Sequence, residues 1–129
     1  MNRWKDGIVA IKEGLIISPG YSFNDFKKTS FYNGQDGIRI IKIEGLIYID
    51  NHKYLVDLFF LKGIIYRVSF VCCDREFTME CEEQRRELHN EILQQYGLNR
   101  ENEYAWGKII SNYDAKGNIS SISFYYSRN

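Results

Sequence analysis

The sequence predicts an α+β fold: a single antiparallel β-sheet in the order strand, strand, short helix, three-strand meander, long helix, hairpin, with the helices packed on one face. Three observations carry this. Residues 38–71 alternate apolar and polar side chains with the period of two that half-buried strands require. Residues 79–96 carry helix caps and helical spacing. Ala115-Lys116-Gly117 closes a second hairpin near the C-terminus. The whole chain, 1–129, reads as one α+β domain.

Taking the elements in order, Ile8 to Ile11 and Leu15 to Ile17 suit two short strands bent at Glu13-Gly14 and ended by Pro19-Gly20. Ser22-Phe23-Asn24-Asp25 has the pattern of a capping box, opening a short helix to about Thr29 with Phe23 and Phe26 inward. Asn33 to Gly37 form a turn or mobile loop. In the meander, Leu61-Lys62-Gly63 fits a three-residue loop with a left-handed glycine. That loop would pair Phe60 with Ile64, Leu58 with Tyr66, Val56 with Val68 and Tyr54 with Phe70. A two-residue loop at Asn51-His52 would pair Ile49 with Tyr54 and Ile47 with Val56. Ile41 and Ile43 continue the apolar face, and a slip of one residue would turn every one of these side chains outward.

For the long helix, Thr78 serves as N-cap, Glu80, Glu82 and Glu83 suit the positive end of the dipole, and Gly97 stands at the left-handed C-cap. Cys81, Leu88, Ile92 and Tyr96 form its expected buried stripe, bordered by Gln84 and Arg85. The final hairpin would set Asp114 opposite Asn118, Ile110 opposite Ile122, Lys108 opposite Phe124 and Trp106 opposite Tyr126. The repeated tetrapeptide Glu-Gly-Leu-Ile at 13–16 and 44–47 has no matching flanks and is not an internal repeat.

A chain of 129 residues is one domain of ordinary size, able to bury roughly two-thirds of its unfolded surface. With 44% apolar residues, 16% aromatics and a single proline, it has the composition of a folded domain rather than a disordered one. No apolar run approaches the ~20 residues of a membrane span, and the polar start Met1-Asn2-Arg3-Trp4-Lys5-Asp6 lacks a signal-peptide core. A cytoplasmic protein is expected. Seventeen basic residues balance seventeen acidic ones, so no global field draws nucleic acid or anionic lipid. Abundant isoleucine and scarce alanine suit an AT-rich, bacterial coding sequence.

The chemistry-bearing residues form no recognised motif. Cys72, Cys73 and Cys81 match neither a zinc ribbon nor a Cys-x-x-Cys redox pair, and read as buried or half-buried thiols in a reducing compartment. His52 reads as a turn residue and His89 as a histidine on the border of the helix. No phosphate-binding glycine loop is present. No catalytic residue, metal site or cofactor is assigned. Tyr104, Trp106, Phe124 and Tyr126 have too few cations beside them, Lys108 and Arg128, for a base-stacking platform; they suit the core or a protein interface. Glu80, Glu83, Glu87 and Glu91 recur along one helix flank, as a solvated face or as an acidic patch for a basic partner.

Some residues also carry a resemblance. Glu13-Gly-Leu-Ile-Ile-Ser-Pro-Gly20, Ser22-Phe-Asn-Asp-Phe26, and the ending through Trp106-Gly107, Tyr113-Asp114, Ser121-Ile122 and Tyr125-Tyr126 resemble a broad group of small bacterial single-domain proteins, some similar to immunity proteins of polymorphic toxin systems. The resemblance implies a non-enzymatic protein that masks a toxin by binding it, and it transfers no functional residue. The expected function is therefore a protein-binding domain, immunity-like in its most concrete form, with a basic toxin meeting Glu80, Glu83, Glu87 and Glu91. The alternative is a small-ligand-binding or sensing domain with an aromatic pocket between sheet and helix. An enzyme would need His89 or Cys81 to line a cleft. A monomer or a homodimer is expected, the latter through an exposed strand such as the C-terminal one.

Overall fold

The computed structural model describes residues 3–74 and 82–127. After a 3-10 turn at Trp4–Asp6 come β1 (Val9–Lys12), β2 (Leu15–Ile17), α1 (Phe23–Phe26), β3 (Ile40–Lys42), β4 (Ile47–Ile49), β5 (His52–Leu61), β6 (Ile64–Cys72), α2 (Glu82–Gln95), β7 (Glu101–Tyr104), β8 (Gly107–Asp114) and β9 (Ile119–Tyr126). Seven strands form one antiparallel sheet in the order β3-β5-β6-β9-β8-β7, with β4 also paired to β5. The α+β class and the helices against an antiparallel sheet follow the sequence. The strands β1 and β2, however, pair only with each other, as a separate two-stranded ribbon.

Two left-handed dipeptides set the central register. Asp50-Asn51 (φ 48° and 72°) and Lys62-Gly63 (φ 53° and 77°) have positive φ at both residues. That is the two-residue type I′ hairpin, whose twist matches its flanking strands. Ile49 therefore faces His52 and Ile47 faces Tyr54, which moves the expected Asn51-His52 loop back by one residue and brings His52 into β5. In the second hairpin Leu61 meets Ile64 and Phe60 meets Ile65; a register shift then leaves Tyr66 unpaired, and Leu58 meets Val68, Val56 meets Phe70 and Tyr54 meets Cys72. The expected pair of Phe60 was one residue out, and those of Leu58, Val56 and Tyr54 were two residues out. The bulge restores the parity, so Val68 and Phe70 still point inward, while Ile65 replaces Ile64 in the core.

The last hairpin is corrected by one residue. Residues 115–118 form its loop, Asn118 being left-handed (φ 48°), so Asp114 faces Ile119, Ser111 faces Ile122 and Ile109 faces Phe124. Ser111 thus takes the place expected of Ile110 opposite Ile122, and Ile109 is the buried isoleucine of β8. Trp106 precedes β8, in the turn from β7, a strand the periodicity missed. Because β9 lies between β6 and β8, it cannot pair with a second copy; the sheet edges are β7 and the β3/β4 side.

Every helix and the ribbon lie on one face. The capping box of α1 forms as the sequence predicts, Ser22 Oγ accepting from Asp25 N–H and Asp25 accepting from Ser22 N–H. Phe26 is fully buried, 6.1 Å from the Phe60 ring. Of α2, the expected Thr78 cap, Glu80 and Cys81 lie outside the described residues. Its C-terminus closes as a Schellman motif, Gly97 at φ 74° and Leu98 N–H donating to Leu93 O. Its buried stripe is Glu82, His89, Ile92 and Leu93, with Leu88 and Tyr96 only partly covered. The stripe is thus rotated from the expected one, because Glu82 and His89 bring their own partners inside. Trp4 fills the gap between helix and sheet, stacked on Tyr96 at 4.0 Å and edge-on to Phe124 at 5.2 Å.

Candidate functional site

Four polar side chains share the inner face where β5 begins and β6 ends. His52 and Tyr54 alternate on β5, Cys72 lies opposite Tyr54, and Asp74 follows two residues later. Asp74 Oδ1 accepts from Lys53 N–H at 2.8 Å, and Asp74 Oδ2 lies 2.6 Å from His52 Nδ1. His52 Nε2 lies 3.2 Å from Gln95 Oε1 on α2. Burial opposes charge on this ring, but acceptors on both nitrogens and the Asp74 carboxylate outweigh it and raise its pKa. Burial likewise works against ionised Asp74, and the bonds from His52 and Lys53 reverse it, lowering its pKa. Burial pushes the Cys72 thiol up to about 11.

This is not the geometry of a cysteine nucleophile. The thiol is fully buried, it stays protonated at neutral pH, and both histidine nitrogens face oxygen atoms instead of the sulfur. The donor atoms of His52, Cys72 and Asp74, however, all lie within 4.8 Å of one another, close enough to hold a metal ion. Sequence reasoning missed the group because it placed His52 in a turn; the only signal was Cys72 and Asp74 two residues apart at a strand end.

The second histidine is also buried. His89, expected at the helix border, is inaccessible to solvent, and its Nε2 accepts from Cys72 N–H at 3.0 Å. That N–H is a strand donor beyond the ladder, so the histidine satisfies it. Burial, and then Arg85, push its pKa down to about 3. Nearby, Glu82 Oε2 accepts from Ser120 N–H at 2.9 Å and from Ser120 Oγ at 2.8 Å, while Oε1 pairs with Arg85. These are ties between α2 and the sheet.

Among the expected partner-binding residues, Glu83, Glu87 and Glu91 are exposed, and Glu80 lies outside the described residues. At 3.6 residues per turn they stand opposite the buried stripe, among exposed Gln84 and Gln94. They form the outermost ridge of the helix and no ion pair among the described residues. The aromatic group from the sequence divides: Phe124 and Tyr126 are buried, and Tyr104 and Trp106 stack on each other at 5.3 Å against them. Core packing, one of the two readings, accounts for Phe124 and Tyr126, while Tyr104 and Trp106 are partly covered at its margin.

Among the described residues, the opposite face of the sheet carries no helix. Phe59, Arg67, Tyr125 and Lys108 are successive neighbours across four strands. The Arg67 guanidinium lies 4.7 Å from the Phe59 ring centre and 5.1 Å from that of Tyr125, and Lys108 Nζ is 5.4 Å from Tyr125. Arg67 Nη2 donates to Ser123 Oγ at 3.1 Å. Beside this row a basin of about 510 Å³ is walled by Asp57, Arg67, Ser69, Asn112, Ile119 and Ser121. On the same face Tyr48, Leu55 and Ile40 are 69%, 50% and 48% exposed.

No helix among the described residues is long and apolar enough to cross a membrane. No protein-family model matches the chain, no curated protein matches its sequence and no solved structure matches its fold.

Proposed function

We propose that the chain is a non-catalytic protein-binding domain that receives its partner on the open face of the sheet, and that immunity-like masking of a toxin is its concrete role. The observation that carries this is the face itself: large apolar side chains, Tyr48, Leu55 and Ile40, stand exposed along its β3/β4–β5 side, and an arginine is held between two aromatic rings further along the same face. Exposed apolar area on this scale favours association, and tyrosine and arginine are the residue types that anchor protein interfaces. The face does not suit a polyanion, since it carries the carboxylate of Asp57, paired with Lys42 at 3.5 Å. Its partner is a protein presenting apolar side chains and a carboxylate for Arg67.

A basic toxin meeting Glu83, Glu87 and Glu91 is the second reading, favoured by their exposed carboxylates on one ridge, which form no ion pair among the described residues. That ridge has no apolar anchor, so its charges would speed association more than hold the complex. A small-ligand pocket between sheet and helix is disfavoured, because Trp4, Tyr54, Phe70 and Phe124 fill that space with ring-to-ring contacts.

Affinity capture from the source cells tests this with three baits: the natural chain, Leu55→Asp, and Glu83→Lys/Glu87→Lys/Glu91→Lys. The expected result is one near-stoichiometric protein lost from the Leu55→Asp bait alone. Loss from the triple-lysine bait alone would move the contact to the helix ridge. Recovery of no partner by any bait, from cells expressing the neighbouring genes, would contradict protein binding.

A further inference from the structure

The geometry points to a binding site for one divalent ion of the Zn²⁺ type, held by His52 Nδ1, Cys72 Sγ and an Asp74 carboxylate oxygen. The donor set of imidazole, thiolate and carboxylate suits a borderline-soft metal and not Ca²⁺ or Mg²⁺, which take oxygen alone. A tetrahedral ion with bonds of about 2.0–2.3 Å holds its donors roughly 3.3–3.8 Å apart. Here the three donors lie within 4.8 Å of one another, with the His52 to Asp74 pair at 2.6 Å. Side-chain adjustments of the order of 1 Å, with no backbone movement, therefore form the site.

The surroundings are those of a metal site. The distal His52 nitrogen is held by Gln95, and the second Asp74 oxygen by Lys53 N–H; such outer contacts orient ligating groups. An independent observation comes from Tyr54. Its side chain is fully buried across the strand pair from Cys72, and its hydroxyl has no hydrogen-bond partner among the described residues. A buried orphan hydroxyl is costly unless something meets it, and a water in the ion's fourth position would. The ion has a way in, since His52 and Asp74 side chains remain 16% and 26% exposed. Binding displaces the thiol proton of Cys72 and the Nδ1 proton of His52, both released to solvent. The bound ion would join the β5 and β6 ends and, through Gln95, the C-terminus of α2.

The test is titration of the purified, metal-free chain with Co²⁺, followed by Zn²⁺ competition. One Co²⁺ per chain with a thiolate-to-metal charge-transfer band is expected, displaced by Zn²⁺ and accompanied by a higher melting temperature. Cys72→Ser should remove the band, whereas Cys73→Ser and Cys81→Ser should keep it. Should Cys72→Ser fail to fold, His52→Gln and Asp74→Asn, at partly exposed positions, must each weaken binding at least about tenfold. A folded natural chain without the band, a band surviving in Cys72→Ser, or one lost in Cys73→Ser or Cys81→Ser overturns the assignment.

Discussion

Single buried polar residues decide how α2 is attached. His89 must stay neutral to accept from Cys72 N–H, and burial holds its pKa at about 3 against an ordinary 6.5. A lowered folded-state pKa means stability that is complete above about pH 6.5 and is lost as pH falls toward 3, with a limiting slope of about 1.4 kcal/mol per pH unit. His89→Gln keeps an acceptor but no titrating ring, so urea midpoints measured between pH 7 and pH 4 should fall less steeply than in the natural chain; parallel profiles would contradict the role. Glu82 acts through Ser120 and Arg85. Glu82→Ala should cost about 3–5 kcal/mol, as breaking a buried charged pair does. Glu82→Gln, still able to accept from Ser120, should cost visibly less in the same denaturation experiment.

At the scale of elements, parity was legible from the sequence and register was not. Apolar alternation placed Tyr54, Val56, Leu58 and Phe60 on the inner face, where they are buried. Which residue faces which depended on the turns, and Asp50-Asn51 and Lys62-Gly63 adopt left-handed conformations that Asp, Asn and Lys do not announce as glycine does. Away from the turns both errors moved the partners by two residues, so the inner face survived there, while beside the Lys62-Gly63 turn Ile65 took the place of Ile64; the one-residue error in the last hairpin put Ser111 opposite Ile122 in place of Ile110. The metal-ligand group was hidden for the same reason, since it needs His52 in β5 rather than in the loop. A lysine at a left-handed turn position is strained, and Asn-Gly is the preferred type I′ pair. Lys62→Asn should therefore stabilise the chain by about 0.5–1 kcal/mol, read as a higher denaturation midpoint; an unchanged or lower midpoint would contradict the turn assignment.

For the whole molecule, the arrangement of layers matters most. The described helices and the β1–β2 ribbon cover one face of a seven-stranded sheet, and the other carries Tyr48, Leu55 and the Arg67 row. The acidic ridge of α2 faces away on the far side, so a partner of ordinary size engages one surface or the other. Sequence patterning found the ridge because charges repeat visibly along a helix. It passed over the sheet face, because Phe59, Arg67, Tyr125 and Lys108 come from three separate strand pairings and only the fold aligns them. The most direct test of the central claim is the affinity of the captured partner for the natural chain, Leu55→Asp and the Glu83/Glu87/Glu91 triple lysine variant, measured by calorimetry. An interface centred on the sheet predicts a loss of about 2 kcal/mol, ~30-fold, for Leu55→Asp and little change for the triple variant at physiological salt. Full affinity in Leu55→Asp, with binding lost in the triple variant, would contradict it.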